Sequence, residues 1–234
     1  MSAEGFARNG FSQNIILRYV HETDLTKLYS RLINEGLAKT GSLTMSAAVG
    51  CSGTSSCNLA LTNSHRLAKE IQRKFLDMKL DEDDDLTGAT IKISGCPNSC
   101  GQHEIGTIGF YGGGARVGKD MYPNYTMSLG GRFDENAMLG DTCDRVPVKR
   151  VIPVLLKVIE LFKENKQKND SLVSWIDRVI RGNESSGIKS VNDIKKAISP
   201  LLIPPTKDED PDFFLDYGSD TSYHTITGKG ECAA

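Results

Sequence analysis

Apolar and polar positions recur along this chain with periods that predict its elements. In "VKRVIPVLLKVIELFKENK" (148–166), Val151, Val154, Leu155, Val158, Ile159 and Phe162 share one helical face, the three-and-four spacing of an amphipathic helix. Pro153 fits that helix only in its first turn, where its missing N–H is not needed. A second helix is expected over 58–80, with the stripe Leu67, Ala68, Ile71, Phe75 and Met78. "SLVSWIDRVI" (171–180) reads as a shorter helix. In "SVNDIKKAI" (190–198), Ser190 and Asp193 have capping-box spacing, with Asp in the place of Glu. Near the start, "NIILRYV" (14–20) reads as a strand. Thr23 or Asp24 then caps a helix with Leu25, Leu28, Tyr29, Leu32 and Ile33 on one side, and Gly36 stops it. "ATIKISG" (89–95) reads as a buried strand, and "TIGFYGG" (107–113) and "YTMSLGG" (125–131) as further strands with glycine-rich exits. Residues 1–10 read as loose, and the segment from Pro200, rich in proline and acid, as extended. No internal repeat is visible. Strands mixed with helices, some in hairpin order, point to an α+β (mixed α/β) fold.

Composition narrows the class. The chain has 234 residues, 38% of them hydrophobic and 25% charged, enough for one large domain or two small ones. A formal net charge of −2 argues against sequence-independent nucleic-acid binding, which needs a concentrated basic field. No apolar run is long enough to span a membrane, and "MSAEGFARNG" has no basic segment followed by an apolar one, so a cytoplasmic protein is expected. The run "DEDDD" (81–85) reads as a solvated loop, since consecutive carboxylates lack the alternation of known calcium loops. The strand and helix of the opening segment cannot bury their own apolar faces and need a partner.

Four of the six cysteines form a pattern: C-x5-C at Cys51 and Cys57, a gap of 38 residues, then C-x3-C at Cys96 and Cys100. Four thiolates from two loops suit a metal centre. Structural zinc usually takes pairs two to four residues apart, so the first pair is wide for it. Small residues flank every cysteine: Gly50, Ser52, Gly53, Ser55, Ser56, Gly95, Ser99 and Gly101. A cluster with bridging sulfides favours such neighbours, because backbone and amide N–H groups must come close to sulfur. An iron–sulfur cluster, zinc and unliganded thiols all remain open, in that order.

"CSGTSSCNLALTNS", "ISGCPNSCGQHEIGTIGFYG" and "YTMSLGGR" resemble the cluster-binding core of the sirohaem-dependent nitrite/sulfite reductases. The resemblance covers roughly residues 6–180. The opening "FARNGFSQNIILRYV" resembles the family motif R-x-T-x-x-Q-N at Arg8, Gln13 and Asn14, with Gly10 in the place of Thr. The resemblance implies a 4Fe–4S cluster held by Cys51, Cys57, Cys96 and Cys100, with Cys100 also the axial ligand of sirohaem. It implies a six-electron reduction of sulfite to sulfide or nitrite to ammonia, with ferredoxin or a flavoprotein subunit as donor. It also implies a division into half of a ferredoxin-like, parachute-type domain (1–45), a 4Fe–4S/sirohaem domain (46–185), and a C-terminal helix and extended tail (186–234). Complete single-chain enzymes of the family pair two related halves, and the substrate-clamping Arg and Lys come largely from the other half. A companion half or subunit is therefore expected. Two other readings stay open: a non-catalytic iron–sulfur electron-transfer subunit, and a zinc-stabilised interaction domain.

Asn98 either bonds the macrocycle edge or holds the turn between the cysteines. Arg8, Gln13, Arg116, Lys119 and Arg132 are candidate sirohaem contacts by resemblance and position, because a carboxylate-rich macrocycle needs N–H and cationic partners. For each cation a surface salt bridge is an equal reading. Gly109, Gly112, Gly113 and Gly114 look like a phosphate-cradling loop, but no helix follows, so a tight turn near the cofactor is expected. His103 either transfers protons or, as most such histidines do, serves structure. Cys143 reads as a free thiol. Cys232 sits in the closing "GKGECAA".

Overall fold

The computed structural model describes residues 5–38, 41–183 and 187–225. Cys232 lies outside the described residues. The opening forms a two-stranded antiparallel hairpin of β1 (Arg8–Asn9) and β2 (Ile15–Ile16), then α1 (Leu25–Asn34). The strand expected over 14–20 is cut to two residues. Its neighbour Tyr19 takes φ +53°, outside the strand region, and Ile15 and Ile16 are exposed, with no third strand on the hairpin among the described residues. α1 appears where its stripe predicts it, and Gly36 follows it with φ +68°.

The main sheet has five strands in the order β3-β4-β5-β6-β7. β3 (Val49–Gly50) and β4 (Ile91–Ser94) run parallel, as do β4 and β5 (Ile108–Val117). β6 (Asp120–Leu129) and β7 (Asp141–Pro147) complete it antiparallel. The parallel crossover from β3 to β4 is made by α2 (Ser64–Asp77). α2 starts six residues later than expected. Leu61 and Thr62 donate their N–H groups to Gly95 O instead of helical partners, and Asn63 caps the helix by accepting from Arg66 N. It also stops before Leu80, where Lys79 turns left-handed at φ +56°. β3 and β7 were not foreseen.

α3 (Val151–Asn165) has Pro153 in its first turn, and all six predicted stripe residues are buried. α4 (Leu172–Ile180) and α5 (Val191–Ile198) follow. The capping box falls at Ser171 and Ser174 rather than at Ser190, whose hydroxyl donates to Asp193 Oδ2 at 3.0 Å. One continuous core joins α2 to α5 with one sheet face, through Leu67, Ile71, Phe75, Ile93, Phe110 and Phe162 among others. Truncating Phe75 or Phe162 to Ala would cost about 3–5 kcal/mol. The acidic run is not merely solvated: Lys163 pairs with Asp83 and Asp85 at 2.7 Å, and Lys166 also pairs with Asp85.

The second sheet face is also occupied. The tail does not stay extended. It turns over Pro211–Phe214, and Phe213 and Phe214 pack on Tyr122 beside Ala115 and Val117. Asp216 then accepts from Asn63 N at 2.7 Å, and the Tyr223 hydroxyl donates to Gly113 O at 3.1 Å. Gly109, Gly112, Gly113 and Gly114 do not form a turn either. They lie inside β5, where a side chain at Gly112 would strike Thr62 Oγ1 at 1.9 Å.

Candidate functional site

Both cysteine loops leave the same end of the sheet. Cys51 follows β3 and Cys96 follows β4, two parallel neighbours paired as Val49 with Lys92 and Gly50 with Ile93. The Cys51 N–H extends this pairing by donating to Ile93 O at 3.0 Å. Gly95 knits the two loops together. Its N–H donates to Cys51 Sγ at 3.2 Å, and its carbonyl accepts from Leu61 N at 2.8 Å and Thr62 N at 3.1 Å. A Cβ on Gly95 would lie 2.9 Å from Gly53 Cα and 2.8 Å from Thr62 O, so backbone meets backbone directly. Cys51 Sγ also lies 3.1 Å from Ser64 Oγ.

The four thiols converge. Cys96 is half-buried, and its thiol is pushed up first by burial and then by the charges of Cys51, Cys57 and Cys100, while the N–H of Asn98 lowers it. Mutual repulsion of this kind is what a cationic metal centre relieves when it takes the thiolates. Among the described residues no three His, Cys, Asp or Glu side chains are grouped closely enough for a single metal ion. A mononuclear ion would need its thiolates about 3.8 Å apart, given a metal–sulfur bond of about 2.3 Å. A four-iron cluster takes them at wider separation, one per corner, and accepts N–H donors at sulfur such as that of Gly95. The donor set fits the cluster.

The other expected site residues divide. Asn98 is exposed, and its backbone brackets two sulfurs, with its N–H on Cys96 and its carbonyl 3.9 Å from Cys100 Sγ. Gln13 reaches the site: its Nε2 donates to Gly50 O, one residue before Cys51, at 2.9 Å. Arg8 is exposed over the Phe6 ring at 5.1 Å. Arg116 is exposed near the far end of β5, four residues or about 13 Å of strand beyond Gly112. Lys119 is exposed in the turn that follows. Arg132 pairs with Asp177 at 2.9 Å and donates to Asn136 O at 2.7 Å. His103 is buried, lies 2.9 Å from Ser94 Oγ, and is held below the usual imidazole range by burial. Cys143 is unpaired and buried in the core, which pushes its thiol up to about 12. Sequence reasoning missed Ser64, Ser94 and Lys92. Of these Lys92 and Ser94 left a trace, as the polar positions alternating with Ile91 and Ile93.

Residues 42–179 match the family described as the nitrite and sulphite reductase 4Fe-4S domain. The chain belongs to this family. It is 29% identical over 150 residues to the ferredoxin–nitrite reductase of Synechococcus elongatus, covering 62% of this chain and 28% of that protein. It is 30% identical over 190 residues to a putative sulfite reductase (NADPH) hemoprotein beta-component of Buchnera aphidicola, covering 81% of this chain and 30% of that protein. The structure of the Mycobacterium tuberculosis NirA protein superposes with a TM-score of 0.60 at 22% identity, covering 74% of this chain and 32% of that one, a likeness of fold. The chain thus spans under a third of the length of these three proteins. The expected fold and the expected cofactors of the family, a 4Fe–4S cluster and sirohaem, are borne out at that level. Among the described residues no helix is long and apolar enough to cross a membrane.

Proposed function

We propose that this chain is the cluster-and-haem portion of an assimilatory-type sulfite or nitrite reductase. Cys51, Cys57, Cys96 and Cys100 would hold the 4Fe–4S cluster, and Cys100 would also offer its thiolate to sirohaem. When bound, the two centres would pass the six electrons of the reduction, drawn from the external donor, to the substrate one at a time. The observation that carries this reading is the convergence of four thiols from two loops, with Gly95 N–H already aimed at a sulfur. This chain's own part is to fix the thiolates, aim amides at sulfur and leave Cys100 facing outward. We assign 1–45 to half of a shared ferredoxin-like domain, 46–185 to the cluster domain and 186–234 to the tail.

A companion half or subunit completes the site in this reading, with ferredoxin or a flavoprotein as donor. Support comes from the apolar face of α1, where Leu25, Tyr29 and Ile33 are 51%, 56% and 51% exposed. The same face favours the second reading, an electron-transfer subunit that turns over only within a complex. The zinc reading is the weaker one, because the C-x5-C spacing of Cys51 and Cys57 is wide for structural zinc.

The test is an absorption spectrum of the chain purified without oxygen from cells that make sirohaem. A Soret band with chlorin-type long-wavelength bands, and stoichiometric iron and sulfide that Cys51→Ser removes, are expected. Zinc without iron would overturn the assignment.

A further inference from the structure

Cys100 stands on a turn that needs holding. Ser99 and Gln102, on either side of the pair Cys100–Gly101, take φ +58° and +59°, conformations that an L-residue keeps only when its surroundings impose them. The turn folds back along β4. A Cβ on Gly101 would sit 1.9 Å from Ile93 O. Ser94, 1% exposed, accepts the Gly101 N–H on its Oγ at 3.0 Å, and the same oxygen hydrogen-bonds His103 Nδ1 at 2.9 Å. The His103 ring, 4% exposed, packs on Tyr111 of β5 with centroids 5.0 Å apart. One residue further out, Lys92 Nζ donates to Gln102 Oε1 at 2.8 Å. The chain that directly follows Cys100 is therefore fixed to the sheet, while Cys100 itself is exposed.

We propose that Ser94 and His103 are positioning residues for Cys100, a two-bond clamp that fixes where the sulfur projects. The inference rests on the assignment of Cys100 as the thiolate shared with sirohaem. It gives His103 a role beneath the turn, as a hydrogen-bond partner of Ser94 and not as a proton donor at the reacting face. Hydroxyl and imidazole suit this place because both are short and satisfy each other without a charge in the core. Outer partners of this kind usually change ligand affinity by about ten- to a hundredfold when removed.

The experiment compares Ser94→Ala, Ser94→Thr, His103→Leu and His103→Asn in the full chain. Asn carries an amide near the place of Nδ1, and Leu does not. Iron and sulfide per chain, sirohaem per chain, and amide hydrogen exchange at Gly101 are measured. In Ser94→Ala and His103→Leu, iron and sulfide stay near wild type, sirohaem affinity falls about tenfold, and Gly101 exchanges about tenfold faster. Ser94→Thr and His103→Asn lie closer to wild type. Unchanged exchange and unchanged sirohaem in Ser94→Ala and His103→Leu would overturn the proposal. So would loss of the cluster together with sirohaem, which would mark a general packing role. If wild type holds a cluster but never sirohaem, the shared-thiolate assignment falls. Gly101 exchange then still decides whether the clamp exists.

Discussion

Gly101 allows the sharpest residue-scale forecast. An added methyl group would meet Ile93 O at 1.9 Å, backbone against backbone with nothing flexible to move. Gly101→Ala should cost about 3 kcal/mol or more in urea unfolding. Gly118→Ala is the control: φ is +58° there but no atom lies within 4 Å of the new methyl, so only backbone strain of about 1 kcal/mol is expected. Equal losses at the two sites would contradict the packing account. His103 yields a pH forecast. Burial lowers its folded pKa, so the unfolded chain binds the proton more readily and stability rises with pH through that range. It should fall as pH drops below the ordinary imidazole value and level off below the folded one. His103→Asn should flatten that slope in denaturation midpoints taken from pH 7 to pH 5; an unchanged slope would point to another group. At this scale the coming together of the two cysteine pairs was legible, because spacing and small neighbours are written in the chain. The Ser94–His103 pair was not, because it exists only once the loop after Cys100 folds back on β4.

Among the elements, α3 was fully legible, since one face carries its whole apolar stripe and Pro153 marks its start. β3 is two residues long and leaves no period to read. β7, "DTCDRVP", mixes charges with Cys143 and Val146, and its burial comes from packing by α3 and α5. The C-terminal segment was misread because proline and acid suggest extension, whereas Phe213 and Phe214 find Tyr122. Asp216 anchors that segment, and its carboxyl is pushed up by burial. The folded state therefore holds its proton more tightly than the unfolded one, and this group's contribution declines as pH rises through the shifted range. Asp216→Asn keeps the acceptor for Asn63 N and cannot ionise, so it should match or exceed wild type in stability at pH 7. Asp216→Leu strands the Asn63 N–H and should cost about 1–3 kcal/mol. A less stable Asn variant with a harmless Leu variant would refute the anchoring role.

The whole molecule reads as a closed core with an open opening segment. Leu25, Tyr29 and Ile33 line the outer side of α1, and Phe11, Ile15 and Tyr19 of the preceding segment are 83%, 62% and 63% exposed. The alternation of apolar positions announced this face, but no sequence pattern within the chain could supply its cover. In isolation the chain should bind a hydrophobic dye and associate with concentration in sedimentation runs. Tyr29→Glu with Ile33→Lys should reduce both several-fold, about what removal of two large apolar groups from such a patch implies. A monodisperse wild-type chain that binds no dye would show the face to be covered from within.

The bond between Asn63 and Asp216 joins residues 153 positions apart. During synthesis the first cysteine loop, β3 and α2 emerge long before Asp216 exists. The wall that Ser219 and residues 221–225 form beside Cys57 thus arrives after them. Delivery of iron and sulfide to the growing chain would meet an open doorway there, and the finished protein a narrower one.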